Sequence, residues 1–140
     1  MLEINNNNLV AAIMALQFAT FGWRINREIS VGDAGRRTWL PVPDILNVVS
    51  MLSVVAICVI LPLKTGVFSN YSRAVLAGSF VLIAFYPLAL AGHYRLFSRG
   101  GRSIYLEKGR DYPYCTGQEA AALTVATLLT VLAGWYVQGA

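Results

Sequence analysis

The chain has 140 residues, 56% hydrophobic and only 13% charged, with eleven Lys and Arg against seven Asp and Glu. A soluble domain carries about 25% charged residues, and a small one keeps much of its surface in water. This composition therefore excludes a water-soluble domain and points to one integral membrane domain over 1–140.

The first apolar run, Leu9 to Trp23, is short, but the asparagines at 5–8 can cap a helix and extend it. The first span is expected over about 6–23. A cleaved signal peptide would carry a basic segment before such a run; none precedes this one, so it is read as a mature helix. A loop over 24–43 leads to a second span over 44–63, introduced by Pro41-Val42-Pro43-Asp44, prolines and an acid where a helix start favours them. A short loop over 64–73 precedes a third span over 74–94, where Pro87 predicts a kink. A loop over 95–117 ends on Thr116-Gly117-Gln118-Glu119, the spacing of a capping box, and the fourth span is expected over 118–137. These lengths approach the ~20 residues a helix needs to cross ~30 Å of hydrocarbon. Trp23, Trp39, Tyr94, Tyr112 and Tyr114 flank one side and Tyr71, Trp135 and Tyr136 the other, as interfacial aromatic belts do.

Charge sets the orientation. The loops over 24–43 and 95–117 share one side and hold nine Lys and Arg, while the loop between the second and third spans holds only Lys64 and Arg73. The positive-inside rule then places both basic loops in the cytoplasm and both termini outside. The localisation expected is multi-pass, in the bacterial cytoplasmic (inner) membrane. The two loops share a plan, with β-prone pieces around a turn in Arg27–Leu40 and again in Arg102–Tyr114. Two short β-hairpins are predicted, capping an all-α bundle of four transmembrane helices.

Ionisable residues inside a bilayer are costly and usually functional. The four apolar runs hold none in their interiors, which argues against ion-coupled transport. Neutral polar residues remain: Gln17 in the first span, Asn47, Ser50 and Ser53 in the second. They form either interhelical hydrogen bonds or, with Asp44 and Glu119 at the mouth, the lining of a small oligomeric channel. The spacing of Asn47, Ser50 and Ser53 drifts around the helix, which weakens the pore reading. As acids at helix starts, Asp44 and Glu119 also complement the helix dipoles. His93 is expected at headgroup level. Ala122, Ala126, Thr130 and Gly134 form a ladder of small residues at every fourth position, matched by Ala11, Ala15 and Ala19 in the first span. Such ladders bring helices close, so the first and fourth helices are expected to pack together or to form a subunit seam.

Cys58 and Cys115 fall at different depths, which argues against a disulfide between them. No phosphate loop, nucleophile elbow, HExxH or CxxC pattern occurs. No enzyme activity, cofactor or metal site is therefore expected. The remaining candidates are basic: Arg99, Arg102, Lys108 and Arg110 in the last loop, Arg36 and Arg37 in the first. They are expected to engage a soluble cytoplasmic protein or anionic lipid headgroups; nucleic acid is not expected. The leading reading is a non-enzymatic membrane anchor or sensor, acting as a homo-oligomer or a subunit of a membrane complex. A small channel is the alternative, and a lipid-headgroup enzyme a minor one.

Overall fold

The computed structural model of the chain describes residues 5–35, 38–98 and 113–139. It is all-helical, with no strand among the described residues. Four helices are long and apolar enough to cross a membrane: α1 (Asn6–Asp33), α2 (Val42–Thr65), α3 (Asn70–His93) and α4 (Gly117–Gly139).

The helix starts follow the cap chemistry. Asn5 Oδ1 accepts from the Asn7 amide at 2.9 Å and opens α1. Pro41 precedes α2, with Asp44 in its first turn. Ser69 caps α3 through the Ser72 amide. The expected capping box at α4 is present: the Glu119 amide donates to Thr116 Oγ1 at 3.1 Å, and the Thr116 amide donates back to the Glu119 carboxylate at 3.2 Å.

The loop expected over 24–43 is the main correction. α1 continues through Arg24 and Arg27 to Asp33, so the first strand expected of the hairpin is replaced by helix, nearly three turns beyond the expected end of the span. Arg24–Val31 contains neither glycine nor proline, and Arg24 and Glu28 form an i,i+4 ion pair that supports the helix. The helix ends where glycine arrives, at Gly32 and at Gly35, the latter with φ +70°. The body of the second expected hairpin lies outside the described residues. The second span holds a π-helical stretch, Val54–Ile60, just before Pro62. Pro62 has no amide to bond the carbonyl of Cys58, and a widened turn absorbs the mismatch. Pro87 sits within α3, which continues past it to His93.

α3 is the hub. It packs against α1, α2 and α4, and α1 packs on α2. Val10, Ile13, Val54, Cys58 and Leu76 form the apolar core. The α4 ladder faces α3 rather than α1, which corrects the expected pairing. Ala126 is buried, and a Cβ placed at Gly78 would fall 2.8 Å from Thr130 Cγ2. Gly134 lies against Ala74. Ala11, Ala15 and Ala19 point away from the bundle and are exposed. Glycine and alanine on α3 are what let α4 approach closely, and α1 presents a bulkier inner face of Val10, Ile13, Gln17 and Arg24.

Candidate functional site

Four polar side chains recur on α3 at intervals of seven: Ser72, Ser79, Tyr86 and His93, all buried. Seven residues is two helical turns, so they line one seam of the helix. Each meets a partner. Ser72 Oγ donates to the Ile57 carbonyl at 2.9 Å, and Cys58 Sγ donates to the Ser72 carbonyl at 3.2 Å. Ser79 accepts from Ser50 at 2.9 Å, and Ser50 in turn accepts from Gln17 Nε2 at 2.9 Å. Tyr86 donates to Asp44 Oδ1 at 2.6 Å. His93 Nδ1 lies 2.8 Å from Glu119 Oε2.

The central tier holds α1, α2 and α3 together. Asn47 donates to the Gln17 carbonyl at 3.4 Å and to Thr20 Oγ1 at 3.3 Å. Gln17 has no exposed surface, and its Oε1 has no hydrogen-bond partner. Gln17, Asn47 and Ser50 thus converge, with Ser79 as a fourth member. Ser53 does not join them; its hydroxyl bonds its own helix at the Val49 carbonyl. The three thus bond to one another across α1 and α2 inside a single chain.

One tier nearer the basic end is an ion-pair cluster. Arg24 is 1% exposed and Asp44 fully buried, and Arg24 Nε donates to Asp44 Oδ2 at 2.7 Å. Arg24 Nη1 also contacts Glu28 at 2.7 Å and donates to Tyr94 Oη at 2.9 Å. Arg27 pairs with the same Glu28 oxygen at 2.8 Å, and its guanidinium lies 4.7 Å from the Tyr94 ring centroid. Two cations face two carboxylates, so the cluster is charge-balanced. Breaking such a pair is costly because the survivor remains buried and uncompensated. Arg24 therefore belongs to the core rather than to a basic loop.

The third group joins α3 to α4. Glu119 is fully buried and serves both its capping box and His93. Thr116 Oγ1 donates to the Gly92 carbonyl at 2.6 Å. A Cβ at Gly92 would stand 2.7 Å from the Glu119 amide nitrogen, so glycine is what permits this approach. Trp39 stacks edge-on to His93, with ring centroids 6.2 Å apart. Tyr114 Oη donates to the Leu40 carbonyl at 2.7 Å, tying the segment after the last loop to the segment after the first. His93, expected at headgroup level, is the last residue of α3 and is buried in the bundle with a carboxylate partner. Asp44 and Glu119 lie in first turns, as expected, but point into the bundle at Arg24 and His93 rather than at an open mouth.

Cys115, beside this group, is exposed and Cys58 buried, both as free thiols. Partial cover and the nearby Glu119 carboxylate push the Cys115 thiol up from its ordinary value. Among the described residues no three His, Cys, Asp or Glu side chains are arranged to hold a metal ion.

Sequence reasoning missed the core roles of Arg24 and Tyr86 and the His93–Glu119 pair, while Ser79 was legible as a neutral polar residue of the third span. The available signal was periodicity: Val10, Ile13, Gln17 and Arg24 share one face of α1, and the four polar residues of α3 repeat every seventh position. Arg36, Arg37, Arg99, Arg102, Lys108 and Arg110, expected to engage partner or lipid, lie outside the described residues. Comparison with family models, with curated proteins and with solved structures finds no match to this chain.

Proposed function

We propose that the chain is a non-enzymatic multi-pass membrane subunit, an anchor or sensor, whose basic loops engage a soluble protein partner or anionic lipid headgroups on the cytoplasmic side. The observation that carries this reading is the closed polar core. Gln17, Asn47, Ser50, Arg24 and Asp44 spend their hydrogen bonds on neighbouring helices, which suits a scaffold better than a conduit. The core also ties together the helices from which the basic loops leave: α1 to α2 through Arg24 and Asp44, α3 to α4 through His93 and Glu119. A loop is most useful for recognition when its base is rigid. The outward face of α4 carries Leu128, Val131, Leu132 and Trp135, all exposed, which supports contact with lipid or another subunit and so an oligomer or a membrane complex. In this reading the chain sits in the bacterial inner membrane with its termini outside.

The test is neutralisation of Arg99, Arg102 and Arg110 together in the full-length chain. Loss of co-purifying anionic lipid or soluble protein, with unchanged thermal stability and assembly, supports the proposal. Unchanged co-purification overturns it.

A further inference from the structure

Two open grooves run along α3 at the end of the bundle opposite the basic loops. The first, of about 380 Å³, lies between the start of α1 and α3; Asn6 and Arg73 stand at its mouth, and Leu9, Leu76 and Phe80 line it. The second, of about 550 Å³, lies between α3 and α4, walled by Phe80, Ala84, Phe85 and Leu132, with Tyr136 among its residues. Phe80 belongs to both walls. From Arg73 to Phe85 is twelve residues of α3, about 18 Å at 1.5 Å per residue. That is close to one leaflet, half of ~30 Å of hydrocarbon.

Among the described residues the charge at this end is one-sided: Lys64 and Arg73 stand there. Arg73 is exposed and makes no ion pair among the described residues. The first turns of α1 and α3 hold no acid. Glu28, Asp33, Asp44 and Glu119 all stand at the opposite end, at the close of α1 or the start of α2 and α4. A cation above two apolar channels that share a wall matches one amphiphile: an acid headgroup carrying two chains.

We infer that this face is a binding site for one anionic diacyl phospholipid, its phosphate at Arg73 and Asn6 and its acyl chains lying on either side of Phe80. It rests on the chain spanning a bilayer but not on the basic loops engaging anything. A bulk lipid annulus would not distinguish headgroups. This site does, because the Arg73 guanidinium supplies two parallel N–H donors to phosphate oxygens.

Native mass spectrometry of the detergent-solubilised full-length chain tests it, using phosphatidylglycerol and phosphatidylcholine as probes in a background where Arg99, Arg102 and Arg110 are neutralised. One phosphatidylglycerol should be retained in preference to phosphatidylcholine. Arg73→Gln should weaken that retention about fivefold, the factor one surface cation contributes toward an anionic lipid, and Arg73→Lys should recover most of it. Ala84→Trp, at an exposed position, should weaken both lipids by blocking one channel. Equal retention by wild type and Arg73→Gln overturns the inference. So does a dimer that forms as lipid adducts disappear, because a second copy would then fill the grooves.

Discussion

Asp44→Asn isolates the central claim about the core. The substitution keeps the side-chain volume and the oxygen that accepts from Tyr86, but it removes the charge 2.7 Å from Arg24 Nε. Arg24 then remains buried with one carboxylate, Glu28, which it already shares with Arg27. Removing one partner of a buried ion pair costs about 3–5 kcal/mol. The residual contacts to Glu28 and Tyr94 place the expectation near the lower bound, about 3 kcal/mol. For a chain of this size that is a fall of roughly 10 °C in the melting temperature. The assay is fluorescence-detected unfolding of the detergent-solubilised protein, run as a double-mutant cycle with Arg24→Met. Each single variant strands a buried charge, whereas the double variant strands neither, so it should recover at least half of either loss. A single variant melting within about 2 °C of wild type would refute the reasoning, on the same conversion. So would a double variant whose loss is the sum of the two, because it would mean that Arg24 and Asp44 do not interact energetically.

Two further predictions concern the α3–α4 contact and the loop beside it. Gly92→Ala places a Cβ 2.7 Å from backbone nitrogen at Glu119 and should destabilise by about 1–3 kcal/mol in the same melt, whereas Gly134→Ala, meeting Ala74 at 3.8 Å, should be near neutral; equal effects would overturn the close-approach argument. Cys115 should react with a membrane-impermeant maleimide in inside-out vesicles and Cys58 should not. Because the Cys115 thiol is pushed up, less of it is thiolate at neutral pH, so labelling should be slower than for a free thiol and should keep accelerating as the pH rises past the free thiol's midpoint. A rate that levels off at lower pH than the free thiol would contradict the assigned surroundings.

The span count and the helix starts were legible because local chemistry decides them. Asn5 and the Thr116–Glu119 box cap where their side chains reach the first-turn amides, and those contacts involve residues three apart or fewer. The end of α1 was not legible from composition. Arg24 in a loop and Arg24 in a core are the same letter, and a charge beside an apolar run reads first as a boundary. What distinguishes them is a partner twenty residues away at Asp44, a separation that hydropathy does not sample. Of the β-prone pieces in Arg27–Leu40, the first is helical to Asp33: the Arg24–Glu28 pair and the Arg24–Asp44 contact anchor the helix that runs into it, and tertiary contacts outweigh local propensity. The drift of the three-residue steps Asn47, Ser50 and Ser53 is visible at its last member: Asn47 and Ser50 are buried with Asp44, whereas Ser53 bonds its own helix and Val54 and Cys58, reached by steps of four, continue the buried face.

The buried interior is graded from end to end, and the grading links the fold to the two proposals. Toward the side where the basic loops leave, the core is ionic: Asp44, His93 and Glu119 lie in terminal turns, and Arg24 meets Asp44 from within α1; charges near helix ends are the least costly to bury in a membrane. At mid-bundle the groups are neutral, Gln17, Ser50 and Ser79. Beyond them Val10, Ile13, Val54 and Leu76 close the interior with apolar side chains. Directional contacts between specific partners resist sliding of one helix on another, and apolar contacts resist it less. The ionic end is thus the rigid end, and it carries the loops that would need a fixed base for recognition. At the apolar end open grooves run beside α3, one against the start of α1 and one against α4. A phospholipid seated there would supply the packing that side chains leave unfilled, so its loss should loosen the end of the bundle farthest from Arg24 while leaving the Arg24–Asp44 cycle energy unchanged.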